Sequence, residues 1–322
     1  MRRLVWLHLA LAALLVPGCG DSSGGPMDSG MGDDGGGGDD ASTTDFCDSV
    51  REDAPDPDGL MGECCYRASN ADRLANPEFR ISGVNIESPA SLGNMLVGQA
   101  LADSLDQELF NWLLLIEGAD ADGPVDITTG LGFRNADSTY RFADGDAPTD
   151  GGGDPNRWDP VMDTGTLEGE NITTTPASET IVLPVFDEDG ETVQLELPLQ
   201  SLELEMANMS VDRTCIGLRE RRSYDTSQGR VRTFITVEDA KMGQIDIPPI
   251  SNSLCNLVAG MATSEMACDD VPRSEWMFPP DALCESGSCS ANTADSEVCD
   301  PLSDCNAWLV VGGFSAQGVE IE

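Results

Sequence analysis

Histidine is almost absent from this chain: its 322 residues include one, His8, in an apolar segment at the N-terminus. Histidine is the side chain whose charge ordinarily changes near neutral pH, and its ring nitrogens bind metals and move protons. The rest of the sequence therefore excludes Ser-His-Asp and Cys-His nucleophiles, histidine zinc sites and two-histidine iron centres. Carboxylate-pair chemistry, a Ser-Lys dyad through Lys241 and cation binding by oxygen ligands remain possible in principle.

Positive charge is also scarce. Lys241 is the only lysine, and 17 basic residues stand against 58 acidic ones, which gives a formal net charge of −41 at pH 7. Such a charge opposes binding to nucleic acid and to anionic membrane surfaces, and it favours solubility. We therefore expect no nucleic-acid partner, with cations or basic groups as the natural counterparts.

Aromatic residues make up 5% of the chain, which disfavours a carbohydrate platform. Trp112 and Trp308 lie in apolar runs and are predicted to belong to the core, whereas Trp158 and Trp276 have polar flanks and are the candidates for exposure. A phosphate loop, a dinucleotide fingerprint and a nucleophile elbow are all missing. No catalytic residue is predicted. A carboxylate-dependent hydrolase such as a glycosidase is the alternative, although no particular pair of acids is indicated.

Residues 1–19 have the layout of a secretory signal. Arg2 and Arg3 precede an apolar stretch, Leu4 to Val16, that is too short to span a bilayer as a mature helix. The following Leu15-Val16-Pro17-Gly18-Cys19 resembles the lipobox of bacterial lipoproteins, in which the chain is cut before the cysteine and acyl chains are attached to it. The resemblance implies a signal peptide at 1–18 and lipid attachment at Cys19. The alternative is an ordinary cleaved signal in which Cys19 has no role.

Residues 19–44 are predicted to be a flexible tether that follows the lipidated cysteine. The segment after Cys19 contains nine glycines and six aspartates, so it cannot bury a core and its charges repel one another. Its composition and position resemble those of uncharacterised envelope lipoproteins of myxobacterial type, a likeness that assigns no activity. It implies anchoring in the bacterial cell envelope, and Gly20 is compatible with the outer membrane, on its periplasmic or surface-exposed face.

Ten cysteines remain after Cys19, an even number in a chain that is expected to be exported. This favours five disulfides, and the absence of a CxxC pair disfavours thiolate metal sites. The pairing stays open. A cysteine-rich loop region at 267–305 has few apolar residues, so we expect disulfides rather than a core to hold it. The disulfide candidates are Cys47, Cys64, Cys65, Cys215, Cys255, Cys268, Cys284, Cys289, Cys299 and Cys305.

The segment 45–322 is predicted to be a single disulfide-stapled domain of the α+β class, predominantly antiparallel β with two or three short helices. Apolar residues alternate from Val193 to Leu199 and change phase near Gln200-Ser201, which indicates a bulge or a turn. Two hairpins are expected: residues 180–186 with the strand that begins at Val193, and residues 214–224 with residues 230–238.

Helix signals occur twice. Ser88-Pro89 is predicted to start one helix, and the second is predicted to begin near Ser251 to Ser253 and to carry Leu254, Leu257 and Val258. A final buried strand is expected at residues 308–314.

Aspartate clusters recur along the chain, and calcium prefers such oxygen ligands on turns. The clusters do not fit the twelve-residue loop of helix-loop-helix calcium sites. Aspartate and glycine are also ordinary turn residues, so a solvated loop is the favoured interpretation of any one cluster. A weak calcium site at Asp120, Asp122 and Asp126 is the best single candidate for a bound ion, and no other cofactor is expected.

Arginines are concentrated between residues 213 and 232, where this acidic chain reverses its local charge. One interpretation is an anion-binding patch for carboxylate, sulfate or phosphate groups. Its residues would be Arg219, Arg221, Arg222, Arg230 and Arg232. The favoured alternative is that these side chains form cross-strand pairs with Glu203, Glu205 and Glu220.

These patterns predict a lipid-anchored cell-envelope protein with a binding or structural role and no enzymatic activity. Its expected partners are the membrane, through the lipid on Cys19, and a protein or glycan ligand. The oligomeric state stays open.

Overall fold

The structure is a computed structural model, and it describes most of the chain from residue 74 onward. The described residues are 74–93, 95–109, 111–145, 158–177, 179–186, 192–210, 213, 215–217, 219–220, 223–224, 226–247, 250–261 and 266–322. All of them belong to one compact unit. Cys19, Cys47, Cys64, Cys65, Arg221 and Arg222 lie outside the described residues.

Antiparallel strands dominate, and three short helices accompany them, as the sequence predicted. The architecture is one large sheet rather than separate α and β parts. The strands are β1 (Glu78–Ser88), β2 (Asn111–Glu117), β3 (Gly123–Arg134), β4 (Tyr140–Phe142), β5 (Val161–Glu168), β6 (Asn171–Thr174), β7 (Ile181–Phe186), β8 (Val193–Asn208), β9 (Cys215–Ile216), β10 (Arg219–Glu220), β11 (Ser223–Tyr224), β12 (Gly229–Thr236), β13 (Gln244–Ile247), β14 (Ile250–Ser253), β15 (Ala282–Glu285), β16 (Ser288–Ala291) and β17 (Ala307–Gly318). The helices are α1 (Met95–Asp106), α2 (Val237–Met242) and α3 (Leu254–Val258).

Eight strands pair in an unbroken antiparallel circuit, which we call the ring. Its order is β8, β6, β5, β3, β2, β1, β17, β12 and back to β8. The circuit closes because β12 pairs with β17 along one edge and with β8 along the other. Closure pairs the hydrogen-bonding groups that an open edge would leave exposed. It also gives every ring strand an inner and an outer face.

The predicted hairpin between β7 and β8 is confirmed, with Ile181 opposite Leu199 and Val185 opposite Leu195. The predicted bulge is confirmed as well. Ser201 has a positive φ of 51°, and the register between β8 and β12 shifts beside it. Because the extra residue changes the alternation, Leu199 and Leu202 both face the interior of the ring.

The second predicted hairpin is wrong. β12 pairs with none of the described residues between 214 and 224; instead β10 and β11 pair with each other, and β9 pairs with β17. The turn residues before β12 predict a turn, but they do not determine which strands pair. Both edges of β12 are paired with strands distant in sequence, β8 and β17, and its Phe234 and Ile235 are buried. Ring closure therefore overrides the local pairing preference.

Ser253 caps α3 as predicted, because its hydroxyl accepts a hydrogen bond from the backbone N–H of Asn256 at 3.2 Å. The other expected helix starts later than Pro89. Residues 89–93 form a turn, and α1 begins at Met95. At Gly93 an added Cβ would lie 2.2 Å from the carbonyl oxygen of Ile86, so the turn packs against β1 more closely than a side chain allows. Among the described residues, no helix has the length and hydrophobicity that a membrane crossing requires.

The cysteine-rich region contains three disulfides, Cys255–Cys268, Cys284–Cys289 and Cys299–Cys305. The expectation of disulfide stapling is therefore confirmed for these six residues. Cys215 is also disulfide-bonded.

Disulfides are not the only support of this region. Trp276 is 7% exposed and stacks on Trp308 with ring centroids 5.8 Å apart. Trp158 is also buried, and its ring packs edge-on against Phe186. Trp158 and Trp276, the two candidates for exposure, are therefore both buried, because polar sequence neighbours do not prevent a large ring from packing on a distant strand.

Candidate functional site

The ring encloses an apolar cavity of about 130 Å³. Every ring strand contributes at least one residue to its wall, and Ala177 and two residues of β7, Ile181 and Leu183, also line it. A closed sheet of eight strands leaves an interior that side chains either fill or leave open for one small ligand. Here part of the interior is open.

Strand periodicity places these residues. In β2, Trp112 and Leu114 face the cavity, and in β3, Ile127 and Thr129 do so, because every second residue of a strand points to the same face. On β17, Gly313 and Phe314 both contribute to the wall. The position of most lining residues therefore follows from alternation along each strand.

Three polar residues interrupt the apolar wall, and they lie on neighbouring strands. Thr129 of β3, Asp163 of β5 and Thr174 of β6 all line the cavity. Asp163 pairs with Ile127 of β3, and Thr174 pairs with Gly165, two residues beyond Asp163 on β5. These three residues, which we call the polar arc, lie on one side of the cavity, and the surface of the wall as a whole is almost entirely hydrocarbon.

The two threonine hydroxyls are engaged within the protein. Thr129 Oγ1 accepts a hydrogen bond from Trp112 Nε1 at 2.7 Å and donates one to the carbonyl oxygen of Leu113 at 3.0 Å. Thr174 Oγ1 accepts a hydrogen bond from the backbone N–H of Leu204 at 2.8 Å. These bonds fix both side chains and use part of the hydrogen-bonding capacity of each hydroxyl.

Asp163 differs from the threonines. It lies on the inner face of β5 with Val161, Gly165 and Leu167, and it is half-buried. Its Oδ1 accepts a hydrogen bond from the backbone N–H of Thr164 at 2.7 Å. Within the described structure no cationic side chain lies at salt-bridge distance from it. Sequence reasoning missed this residue, although extending the alternation of β5 back from Leu167 places Asp163 on the buried face.

The predicted calcium ligands lie on the loop before β3 and on β3 itself. Asp120, Asp122 and Asp126 are all exposed, and Asp122 Oδ1 accepts a hydrogen bond from the backbone N–H of Gly169 at 2.9 Å. In the part of the chain that the structure describes, no group of three or more His, Cys, Asp or Glu residues could hold a metal ion. Calcium binding stays a prediction.

The predicted arginine patch is described in part. Arg230 pairs with Glu205 across the strands at 2.9 Å and with Glu87 of β1 at 3.1 Å, which agrees with the favoured alternative of cross-strand ion pairs. Arg232 lies opposite Glu203, and its guanidinium is 5.5 Å from the centroid of the Phe234 ring. Arg219 lies on β10. Anion binding stays untested.

Asp281 lies outside the cavity, and its carboxyl group is in an environment that disfavours its charged form. It precedes β15 and accepts a hydrogen bond from the backbone N–H of Leu309 at 2.8 Å. Burial raises the pKa of Asp281 above its usual value, although hydrogen bonds from backbone N–H groups partly oppose the shift. A raised pKa in the folded state means that the folded protein binds the proton more strongly than the unfolded chain does.

The substitution Asp281→Asn is therefore expected to raise the Tm at pH 7, because the amide keeps the acceptor for Leu309 and removes the charge. Ionisation of Asp281 destabilises the fold increasingly as pH rises through its native pKa, and this cost disappears below the unfolded value of about 3.9. Thermal melts between pH 3 and 7 should show a gain that shrinks toward zero as pH falls. Asp304→Asn, at an exposed position, is the matched control. An equal gain at every pH would contradict the assignment.

Comparison of the chain with protein-family models, with curated proteins and with solved structures finds no match.

Proposed function

We propose that this protein is a lipid-anchored protein of the bacterial cell envelope that binds a small apolar molecule inside its ring. The proposal rests mainly on one observation, the apolar cavity of about 130 Å³ whose wall is built from all eight ring strands. Residues 1–19 support the location, because their layout resembles a signal peptide followed by a lipidated cysteine.

The size of the cavity limits the ligand. An engineered protein cavity of about 150 Å³ lined by Leu, Ile and Phe binds benzene, so the cavity here suits an apolar group of similar size. Each methylene group that leaves water contributes about 0.8 kcal/mol. Six such groups correspond to a Kd of roughly 0.1–1 mM before any polar contact is made.

The proposal refines the binding role that the sequence predicts. A glycan ligand gains little from this cavity, because its polar groups need partners and the two threonine hydroxyls are already engaged. The hydrolase alternative requires two carboxyl groups on either side of one bond, and the cavity wall contributes one, Asp163.

Val161→Phe is expected to abolish binding of toluene, because the larger ring projects into the space that the ligand occupies. Met162→Phe is the matched control. It places the same ring on the adjacent residue of β5, which is 82% exposed and points away from the cavity. Toluene binding is measured by NMR titration of the full chain carrying Cys19→Ala, with each phenylalanine variant made in that background.

We expect saturable binding to the Cys19→Ala protein and to the Met162→Phe variant, and none to the Val161→Phe variant. Thermal melts of the three proteins verify that each is folded. The proposed function is wrong if the Cys19→Ala protein does not bind toluene, or if Val161→Phe binds it equally well.

A further inference from the structure

We infer that the cavity selects a small apolar molecule that carries a protonated amine, with Asp163 as the counter-ion of that amine. This inference rests on the proposed function, because it assigns the polar end of the ligand that the cavity would hold. Two independent observations point to it: an apolar enclosure of suitable size, and a carboxylate on its inner face with no cationic partner in the described structure.

Asp163 breaks the pattern of its own strand. Val161, Gly165 and Leu167 share its inner face, whereas the apolar Met162 occupies the outer face and is 82% exposed. A carboxylate that is partly removed from water loses solvation unless a cation or several hydrogen bonds replace it. Asp163 has one such bond, from the backbone of Thr164, so most of its acceptor capacity is unused.

The other polar groups of the wall explain why the selection depends on Asp163. The hydroxyl of Thr129 both accepts and donates within the protein, and that of Thr174 accepts from Leu204. A ligand amine placed at the polar arc therefore finds one strong acceptor. A charge-assisted hydrogen bond to a carboxylate is about twice as strong as a neutral one.

Charge also disfavours an anionic ligand. Among the described residues that line the cavity there is no arginine or lysine and the one charged residue is acidic, and the whole chain has a formal net charge of −41. A carboxylate ligand, such as a short fatty acid, would bring a second negative charge beside Asp163, which is unfavourable at short range. The same wall therefore favours an amine and rejects an acid.

The test compares ligands that share one aromatic ring and differ in the polar group. Toluene, benzyl alcohol, benzylamine and benzoate are titrated separately into the full chain carrying Cys19→Ala at pH 7 and constant ionic strength. Kd is measured by NMR titration or calorimetry. We expect benzylamine to bind about tenfold more tightly than benzyl alcohol, and benzoate not to bind measurably.

Asp163→Asn should reduce the ratio of the benzyl alcohol Kd to the benzylamine Kd from about ten to about one. A thermal melt of this variant verifies that it is folded. Glu168→Gln is the matched control, because it removes the same charge from an exposed outward position of β5. It should leave the tenfold ratio intact, which separates a specific pair from the general attraction of an acidic protein for cations.

The outcomes distinguish this inference from the proposed function. If toluene binds but benzylamine has no advantage over benzyl alcohol, or keeps its advantage in Asp163→Asn, the amine assignment is overturned and the apolar site stands. If benzoate binds as well as benzylamine, the assignment is also overturned, and this comparison needs no variant of Asp163. If toluene does not bind, the proposed function fails, and the amine assignment fails with it.

Discussion

Replacement of Cys19 by alanine is expected to move the protein from the membrane fraction to the soluble fraction almost completely. The lipobox-like sequence that ends at Cys19 implies that acyl chains on this residue hold the protein at the membrane. Each methylene group of a buried acyl chain contributes about 0.8 kcal/mol, so several chains hold a protein firmly where one chain holds it only marginally. Fractionation of cells followed by immunoblotting measures the change.

Ser23→Ala is a suitable control, because it changes a nearby residue of the predicted tether and leaves the lipobox-like sequence intact. This variant should stay in the membrane fraction. Mass spectrometry of the wild-type protein should find an acylated N-terminal cysteine. Retention of Cys19→Ala in membranes, or an unmodified N-terminus in the wild-type protein, would show that another feature holds the protein or that it is not anchored.

Trp308→Ala is expected to cause the largest loss of stability among single substitutions considered for the described region. Trp308 lies on β17, is 1% exposed, stacks on Trp276 and donates a hydrogen bond from Nε1 to the carbonyl oxygen of Phe278 at 2.9 Å. Removing a buried Trp side chain costs about 3–5 kcal/mol. Chemical denaturation followed by tryptophan fluorescence and circular dichroism measures the loss.

The same substitution should expose the cysteine-rich region to proteases, because the ring of Trp308 joins this region to β17. Trp308→Phe is the control. It keeps an aromatic ring against Trp276 and loses the indole N–H, whose hydrogen bond contributes about 1 kcal/mol. If Trp308→Ala unfolds at the same denaturant concentration as Trp308→Phe, packing at this position is not what holds the region.

Local patterns were sufficient to predict some elements of the fold. The hairpin of β7 and β8 follows from alternation and a short polar connection between neighbouring segments, and the bulge at Ser201 follows from the phase change of the leucines around it. The cap at Ser253 also needs only its own neighbours. These features depend on contacts between residues that are close in sequence.

Ring closure could not be predicted in the same way. β12 pairs with strands on both sides that are distant in sequence, and the local turn signal before it indicated a different partner. The cavity depends on this closure, because its wall combines residues from β1 through β17. Asp163 was not predicted for the same reason. Aspartate is common in this acidic chain, and only the closed ring shows that Asp163 lies on the inner face of β5.

The position of β17 in the ring also sets the order of events as the protein is made. This strand pairs with β1, which is among the first described elements, and with β12, so the circuit lacks two of its junctions until residues 307–318 are present. A polypeptide that has emerged from the ribosome only as far as β16 has no closed interior to fold around. Local hairpins such as that of β7 and β8 can pair earlier, but closure of the ring, and with it the enclosed cavity, must wait for the last long strand to be synthesised.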